Sequence, residues 1–599
     1  MSSGPRPPRR PSDWMVSVMT RQLHVGPRRN RITVERDVRV PMRDGTVLLA
    51  DHYAPVTGRA RPTVLMRGPY GRGWQVTLMA RPFAERGYHV LLQSCRGTFG
   101  SGGDFTPGRD EAADGQDTVA WLRTRDWFSG RLATVGASYL AFASWALALD
   151  PPPELTAMAV HISPHDLAEA GFGNGAFELY NLLSWTDLMA HQERVSPARM
   201  LWRTMTADRR LGPAMDRLPL AATGADLNSQ AAPWYAEWMA HTASTDPYWD
   251  GLSAAAALDR VQVPTLLISG FHDYFAGQTM RQYQALRGRG VPAGLTVGPW
   301  THMAFDLGLA IRETLDWLDA FADGNASGSS PRPSAVRVWT TGARKWQQLA
   351  EWPPPDARPQ AWYLQAGGAL SAWPPAGDEP AGDEPAGDGL SGDDGGDATA
   401  FRYDPADPTP SAGGRTLSLR NAGSVDNGAV EARADVLTFT SAPLERPLEV
   451  GGVPEVRLHL ISDNACCDVF ARLCDVDTRG RSRNLTDQIV RSAPGQVTPG
   501  VAREVSIPLT GVSHVFGPGH RIRLQVSGGA HPRFARNLGT DGDPATSTAL
   551  APAAQRVLHG PGHASALVLP AVPARAAGDS AASGSTLAAG SPAAGLQVR

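Results

Sequence analysis

Lysine is all but missing from this chain: Lys345 is the only one among 56 basic residues. The many arginines form no stripe interleaved with aromatics, and the formal net charge is only −3. No basic field exists to hold a polyanion, so nucleic-acid binding is not expected. Cysteine is scarce as well. Cys95, Cys466, Cys467 and Cys474 are too few and too irregularly spaced for a disulfide framework or a zinc site, and they suit a reducing cytoplasm. No metal or other cofactor is expected. An apolar stretch of about 7 to 15 residues, which an export signal needs, does not follow Arg9-Arg10, where Pro11-Ser12-Asp13-Trp14 stands. Residues 1–30 therefore read as a disordered basic arm. The uncharged run from Leu132 to Leu149 is long enough to span a bilayer, but Gly136, Ser138 and Ser144 interrupt it. A strand followed by a buried helix accounts for it, and no membrane association is expected.

What is present fits a large multidomain protein. A chain of 599 residues exceeds one core, so two to four domains are expected. Strand-like runs Thr63–Met66, His89–Gln93 and Ala133–Val135 alternate with helical stretches, the βαβ pattern of a mostly parallel sheet. After Ser163 the sequence turns helical and aromatic-rich, then returns to sheet at Val263. From about 335 onward, short alternating runs such as Val453–Leu460 and His520–Val526 predict an antiparallel sandwich. The expected division is an α/β domain over 31–160 and 251–330, an inserted helical cap over 161–250, and a β-sandwich over 331–575. The sandwich carries a disordered acidic insertion near 374–399, where Ala-Gly-Asp-Glu-Pro repeats. Residues 576–599 read as a disordered tail.

Chemistry is concentrated at three places. The strand Arg131–Val135 runs into Gly136-Ala137-Ser138-Tyr139 and then an Ala-rich helix. A serine on so sharp a strand-to-helix turn needs small neighbours, because its strained backbone leaves no room for a nearby Cβ. Such a serine requires a base and an orienting carboxylate. Asp273 lies just past the buried-strand run Val263–Gly270, and His302 follows the strand Gly294–Gly298. The order Ser, Asp, His is that of an α/β-hydrolase. The glycine usual two residues after the serine is absent, and Leu140 occupies that place.

With these pieces in place, the chain resembles the CocE/NonD hydrolases, the group of cocaine esterase, α-amino acid ester hydrolases and X-Pro dipeptidyl-peptidases, over roughly residues 32 to 570. Gly136 to Tyr139 matches the family's GxSYxG motif, with Ala141 in place of its last glycine. Gly270 through Phe275 and Gly298 through His302 are similar to the family's Asp and His segments. Met66-Arg67-Gly68-Pro69-Tyr70 is similar to the strand end that carries the family's oxyanion tyrosine. Val40–Thr46 resembles the opening hairpin, and Arg96–Phe105 the turn after the fourth strand. Ser94 stands where many relatives have Asp.

The resemblance implies an α/β-hydrolase fold with a helical cap and a C-terminal jelly roll. It implies Ser138, His302 and Asp273 as the triad, and the Tyr70 phenol with the Tyr139 N–H as oxyanion donors. Phe172 and Phe275 are carried over as acyl-pocket aromatics. The implied activity is hydrolysis of a small-molecule carboxylic ester or amide through an acyl-enzyme. An acyltransferase using the same intermediate and an X-Pro dipeptidyl-peptidase are the alternatives; a noncatalytic binding module conflicts with an ordered triad. The oligomeric state is not readable.

Other candidates have plainer readings. His272 is expected to be a solvated or wall residue rather than a second base. His165-Asp166 reads as a cap entry, because no third ligand has metal-site spacing. Gly97–Gly103 reads as a sheet-edge turn, lacking the Gly-Lys-Ser/Thr of a phosphate loop. Glu169, Glu178 and Asp187, the carboxylates available to anchor a peptidase substrate's amine, read as a solvated helical face, so an ester is favoured.

Overall fold

The computed structural model describes residues 30–573 together with Leu23, apart from 57–60, 225–231, 324–329, 376–396 and Pro494. Almost all of the expected basic arm, acidic insertion and small-residue tail lies outside the described residues.

The first sheet contains strands β1 (Ile32–Pro41), β2 (Val47–Pro55), β3 (Thr63–Gly68), β4 (His89–Ser94), β5 (Leu132–Ala137), β6 (Leu155–His161), β7 (Thr265–His272), β8 (Ala293–Thr301), β9 (Val336–Thr340) and β10 (Lys345–Leu349). They are ordered β1-β2-β4-β3-β5-β6-β7-β8-β9-β10. From β4 across to β9 every pairing is parallel. Parallel strands are covered on both faces, and the residues of β3 and β7 are accordingly buried throughout. Apolar clusters lie on either side of the sheet, one built on Trp145, Tyr283 and Leu295, the other on Phe83, Ile268 and Trp317. The helix Tyr139–Leu147 is apolar all round and entirely buried, as a helix without a polar face must be.

Between β6 and β7 the chain leaves the sheet to form the helical cap, whose longest helix is Leu179–His191. Among the described residues a second set of thirteen strands lies between Arg358 and Val572. Two strands inside the range expected for the sandwich, 331–575, pair instead with the first sheet. Strands β9 and β10 hydrogen-bond into the first sheet, with Val336 and Val338 buried in its core. The alternating burial of β9 marks a strand but does not say which sheet the strand will join.

The β-domain grips the cap. Asp487 is buried on the β-domain, and its carboxylate accepts from Arg533 at 2.6 Å and Arg472 at 2.9 Å, with Arg415 at 3.7 Å. Arg533 also reaches Glu178 of the cap at 3.5 Å. Asn181 Nδ2 donates to Glu178 at 2.9 Å and to the Arg415 carbonyl at 3.2 Å, while its oxygen accepts from the Leu417 N–H at 2.8 Å. Burial by itself would raise the Asp487 pKa; the charges of Arg533, Arg472 and Arg415 outweigh it and hold the carboxyl below the usual range. The stabilisation is therefore present above the ordinary carboxylate pKa and lost as pH falls toward the depressed one. Asp487→Ala is expected to cost about 3 kcal/mol, because it strands buried arginine charge. Denaturant midpoints at pH 7 measure that loss, which should shrink in acid.

Candidate active site

The turn at Ser138 is as sharp as its sequence requires. Ser138 has φ 57° and ψ −124° between β5 and the helix Tyr139–Leu147, and its N–H donates to the His161 carbonyl at 2.9 Å. A Cβ on Gly136 would lie 2.3 Å from the Leu140 carbonyl. Only glycine fits there, whereas Leu140, which replaces the usual glycine further on, lies in the apolar core beside β3 and β5. A non-glycine residue at such a φ is strained by about 1 to 3 kcal/mol.

Asp273 and His302 sit just beyond the carboxyl ends of β7 and β8, where open α/β sheets assemble their ligand sites. His302 Nδ1 lies 2.7 Å from Asp273 Oδ1, and Nε2 lies 3.1 Å from Ser138 Oγ. A carboxylate only accepts, so Nδ1 carries the proton and Nε2 presents its lone pair to the serine. The Asp273 side chain is 0% exposed and that of His302 10%.

Tyr70 follows β3, its hydroxyl facing the same serine. Burial raises its pKa, with its hydrogen-bond contacts to Trp185 and Ser138 opposing the rise, so the phenol is a proton donor at neutral pH. Trp185 Nε1 donates to the Tyr70 oxygen at 3.0 Å, and the Trp185 ring stacks on Tyr139 at 6.0 Å. The Tyr139 hydroxyl is used elsewhere, accepting from the Gly108 N–H at 2.7 Å and donating to Glu111 at 3.1 Å. Its main-chain N–H belongs to the first helical turn, whose donors have no partner inside the helix.

The two carried-over aromatics have different surroundings. The Phe275 ring meets the edge of His302 at 5.4 Å. Phe172 is 2% exposed and packs on Phe177 at 4.9 Å and Trp249 at 5.8 Å, inside the cap core.

The remaining candidates separate clearly. His272 ends β7 as a buried wall residue, not a solvated one, and burial pushes its pKa down to about 4, Arg415 and Arg472 reinforcing and Asp487 opposing. The imidazole at Ser138 belongs to His302. Asp166 caps the helix Leu167–Phe172 by accepting from the Glu169 N–H at 2.8 Å, and His165 Nδ1 accepts from Gln282 at 2.9 Å. Arg96, which leads into the Gly97–Gly103 turn, pairs with Asp114 at 2.6 Å and Asp44 at 2.7 Å. Ser94 accepts from Arg72, which also donates to Asp51 at 3.1 Å.

The helical carboxylates correct the expectation of a solvated face. Glu178 and Asp187 are buried, the first against Arg533 and the second against Arg203 and Arg210. Glu169, more exposed, pairs with Arg281.

Sequence reasoning passed over Trp185, one of the aromatics in the helical stretch that follows Ser163. Its helical spacing carries no sign that the indole N–H meets a hydroxyl 115 residues earlier.

With this geometry the chain compares closely with known proteins. Residues 44–304 match the X-Pro dipeptidyl-peptidase (S15 family) model, and residues 330–568 match the X-Pro dipeptidyl-peptidase C-terminal non-catalytic domain. The cocaine esterase of Rhodococcus sp. (strain MB1 Bresler) is 31% identical, the match covering 90% of this chain and 99% of the relative. The chain belongs to the CocE/NonD family of serine hydrolases. Two solved structures share its fold. An α-amino acid ester hydrolase superposes with a TM-score of 0.73 at 23% identity, covering 90% of this chain and 97% of the other. An aminopeptidase from the marine sediment archaeon Thaumarchaeota archaeon gives 0.73 at 22%, covering 96% and 99%. The fold of this CocE/NonD hydrolase is thus an α/β-hydrolase joined to an all-β domain. Among the described residues no helix is long and apolar enough to cross a membrane.

Proposed function

We propose that this enzyme hydrolyses a small-molecule carboxylic ester through an acyl-enzyme on Ser138. The carrying observation is the hydrogen-bonded chain from Ser138 Oγ through His302 to Asp273. His302 Nε2 takes the serine proton as Oγ attacks the ester carbonyl, and Asp273 stabilises the imidazolium that forms. The oxyanion is met by the Tyr70 hydroxyl and the Tyr139 N–H. Because Trp185 donates to the Tyr70 oxygen, the phenolic proton is left for the oxyanion. His302 then returns its proton to the leaving alcohol, and water, activated by the same imidazole, releases the acid.

An ester is favoured over an X-Pro peptide because a peptidase must pair the substrate's free amine with carboxylate. Glu169, Glu178 and Asp187 are each engaged by arginine. In this proposal Phe275 forms an apolar wall beside His302 for an uncharged acyl group, and Phe172, in the cap core, is the second acyl-pocket aromatic. This agrees with the ester-directed name of the Rhodococcus relative. The free cysteines, three of them buried, suit a cytoplasmic enzyme.

A panel of uncharged acyl esters, aminoacyl esters and X-Pro amides tests the proposal, scored by acid released and by acyl transferred to added alcohol or amine. Release of acid from uncharged esters, at least about tenfold faster than from amides, is the expected result; the loss of one charge-assisted pairing accounts for a factor of that size. Preference for X-Pro amides, or transfer in excess of hydrolysis, rejects it.

A further inference from the structure

We propose that Ser269 is a fourth member of the hydrogen-bonded chain, a positioning residue that fixes the Asp273 carboxylate for His302. Strand β7 alternates between two cores: Leu266 and Ile268 enter one, Leu267 and Phe271 the other. Ser269 stands on the Leu267–Phe271 face, where an apolar side chain would fill the position, and it is 0% exposed. A hydroxyl buried among apolar groups is costly without a partner. Its partner is the triad carboxylate, since Ser269 Oγ donates to Asp273 Oδ2 at 2.7 Å.

The contact depends on how the strand ends. The Asp273 N–H donates to the Gly270 carbonyl at 3.0 Å, folding the chain back so that the carboxylate returns over Ser269. Gly270 permits the fold, since a Cβ there would lie 2.2 Å from the Trp300 carbonyl oxygen. The two carboxylate oxygens are thereby divided, Oδ1 to His302 Nδ1 at 2.7 Å and Oδ2 to Ser269. With one oxygen held, rotation about the Cβ–Cγ bond is arrested, and Oδ1 stays in line with the imidazole throughout proton transfer. A serine hydroxyl has a single proton; here it stays on Ser269 and exchanges with nothing. Ser269 reaches the reaction only through Asp273.

The inference rests on Asp273 being the triad acid, and the experiment separates the two. Full-length Ser269→Ala, Ser269→Thr and Asp273→Asn enzymes are compared on one p-nitrophenyl ester, with active sites counted by fluorophosphonate titration and thermal midpoints recorded. Ser269→Ala is expected to lower kcat per titrated site by about tenfold, the scale of one hydrogen bond to a charged group. KM should stay within about twofold, as for an interaction that matters only in the transition state. Ser269→Thr, which keeps the hydroxyl, should recover most of the loss. Ser269→Ala with wild-type kcat per site overturns the proposal. So does a loss in which kcat, KM and midpoint all change together, which is general loosening of the strand, or a folded Ser269→Thr no better than Ser269→Ala. Wild-type activity in Asp273→Asn would reject the triad assignment itself, whereas an inactive Asp273→Asn beside an unaffected Ser269→Ala rejects only the role of Ser269.

Discussion

Ser138→Ala is expected to lower turnover of p-nitrophenyl esters by on the order of a millionfold, the scale of losing a triad nucleophile, and to abolish labelling by fluorophosphonates. The size of the effect follows from the elbow. The Ser138 hydroxyl is the group that His302 Nε2 faces, at 3.1 Å. The nearest aliphatic hydroxyl along the following helix, Ser144, donates to the Leu140 carbonyl at 3.0 Å and is committed there. The Tyr139 phenol is bound to Glu111. Alanine removes one oxygen and inherits the backbone strain at φ 57°, so the fold should survive and the midpoint should move little. Steady-state kinetics, probe labelling and thermal unfolding on the same preparation check all three expectations. Residual turnover near wild type with labelling intact would place the nucleophile elsewhere.

The elbow was legible in the sequence because its determinants are local. Gly136 and Ala137 precede the serine, and an apolar helix follows. Asp273 and His302 were legible because a buried parallel strand reads as an apolar run, and functional loops gather at its carboxyl end. Contacts made across the fold were not. Arg533 lies 355 residues from Glu178, so nothing near Glu178 announces an ion pair, and a charge on an amphipathic helix reads as solvated. Asp187 was misread in the same way, although Arg203 and Arg210 follow it on the neighbouring helices. Ser269 was hidden differently. One serine does not disturb the apolar reading of Val263–Gly270, and its pairing with Asp273 arises only from the turn at Gly270. Strands β9 and β10 fall where the sequence turns to short strand-like runs, but sheet membership is a tertiary choice.

Tyr70→Phe is expected to lower turnover by about two to three orders of magnitude, the cost of one oxyanion donor, with KM little changed. The substitution removes only the hydroxyl, and the ring keeps its packing against both the hydrolase and the cap cores. The bond to a developing oxyanion strengthens as charge accumulates, so its loss falls on kcat rather than on ground-state binding. Trp185 sharpens the expectation: its N–H occupies a lone pair of the phenol at 3.0 Å, which leaves the phenolic proton available to the oxyanion. Were Tyr70 only a wall aromatic, phenylalanine would fill the same space, and turnover would change little. Kinetics on one activated ester, with the protein verified as folded, decide the matter. A loss below about tenfold is too small for a transition-state hydrogen bond in a buried site, and it would transfer the oxyanion role from Tyr70 to another donor beside the Tyr139 N–H.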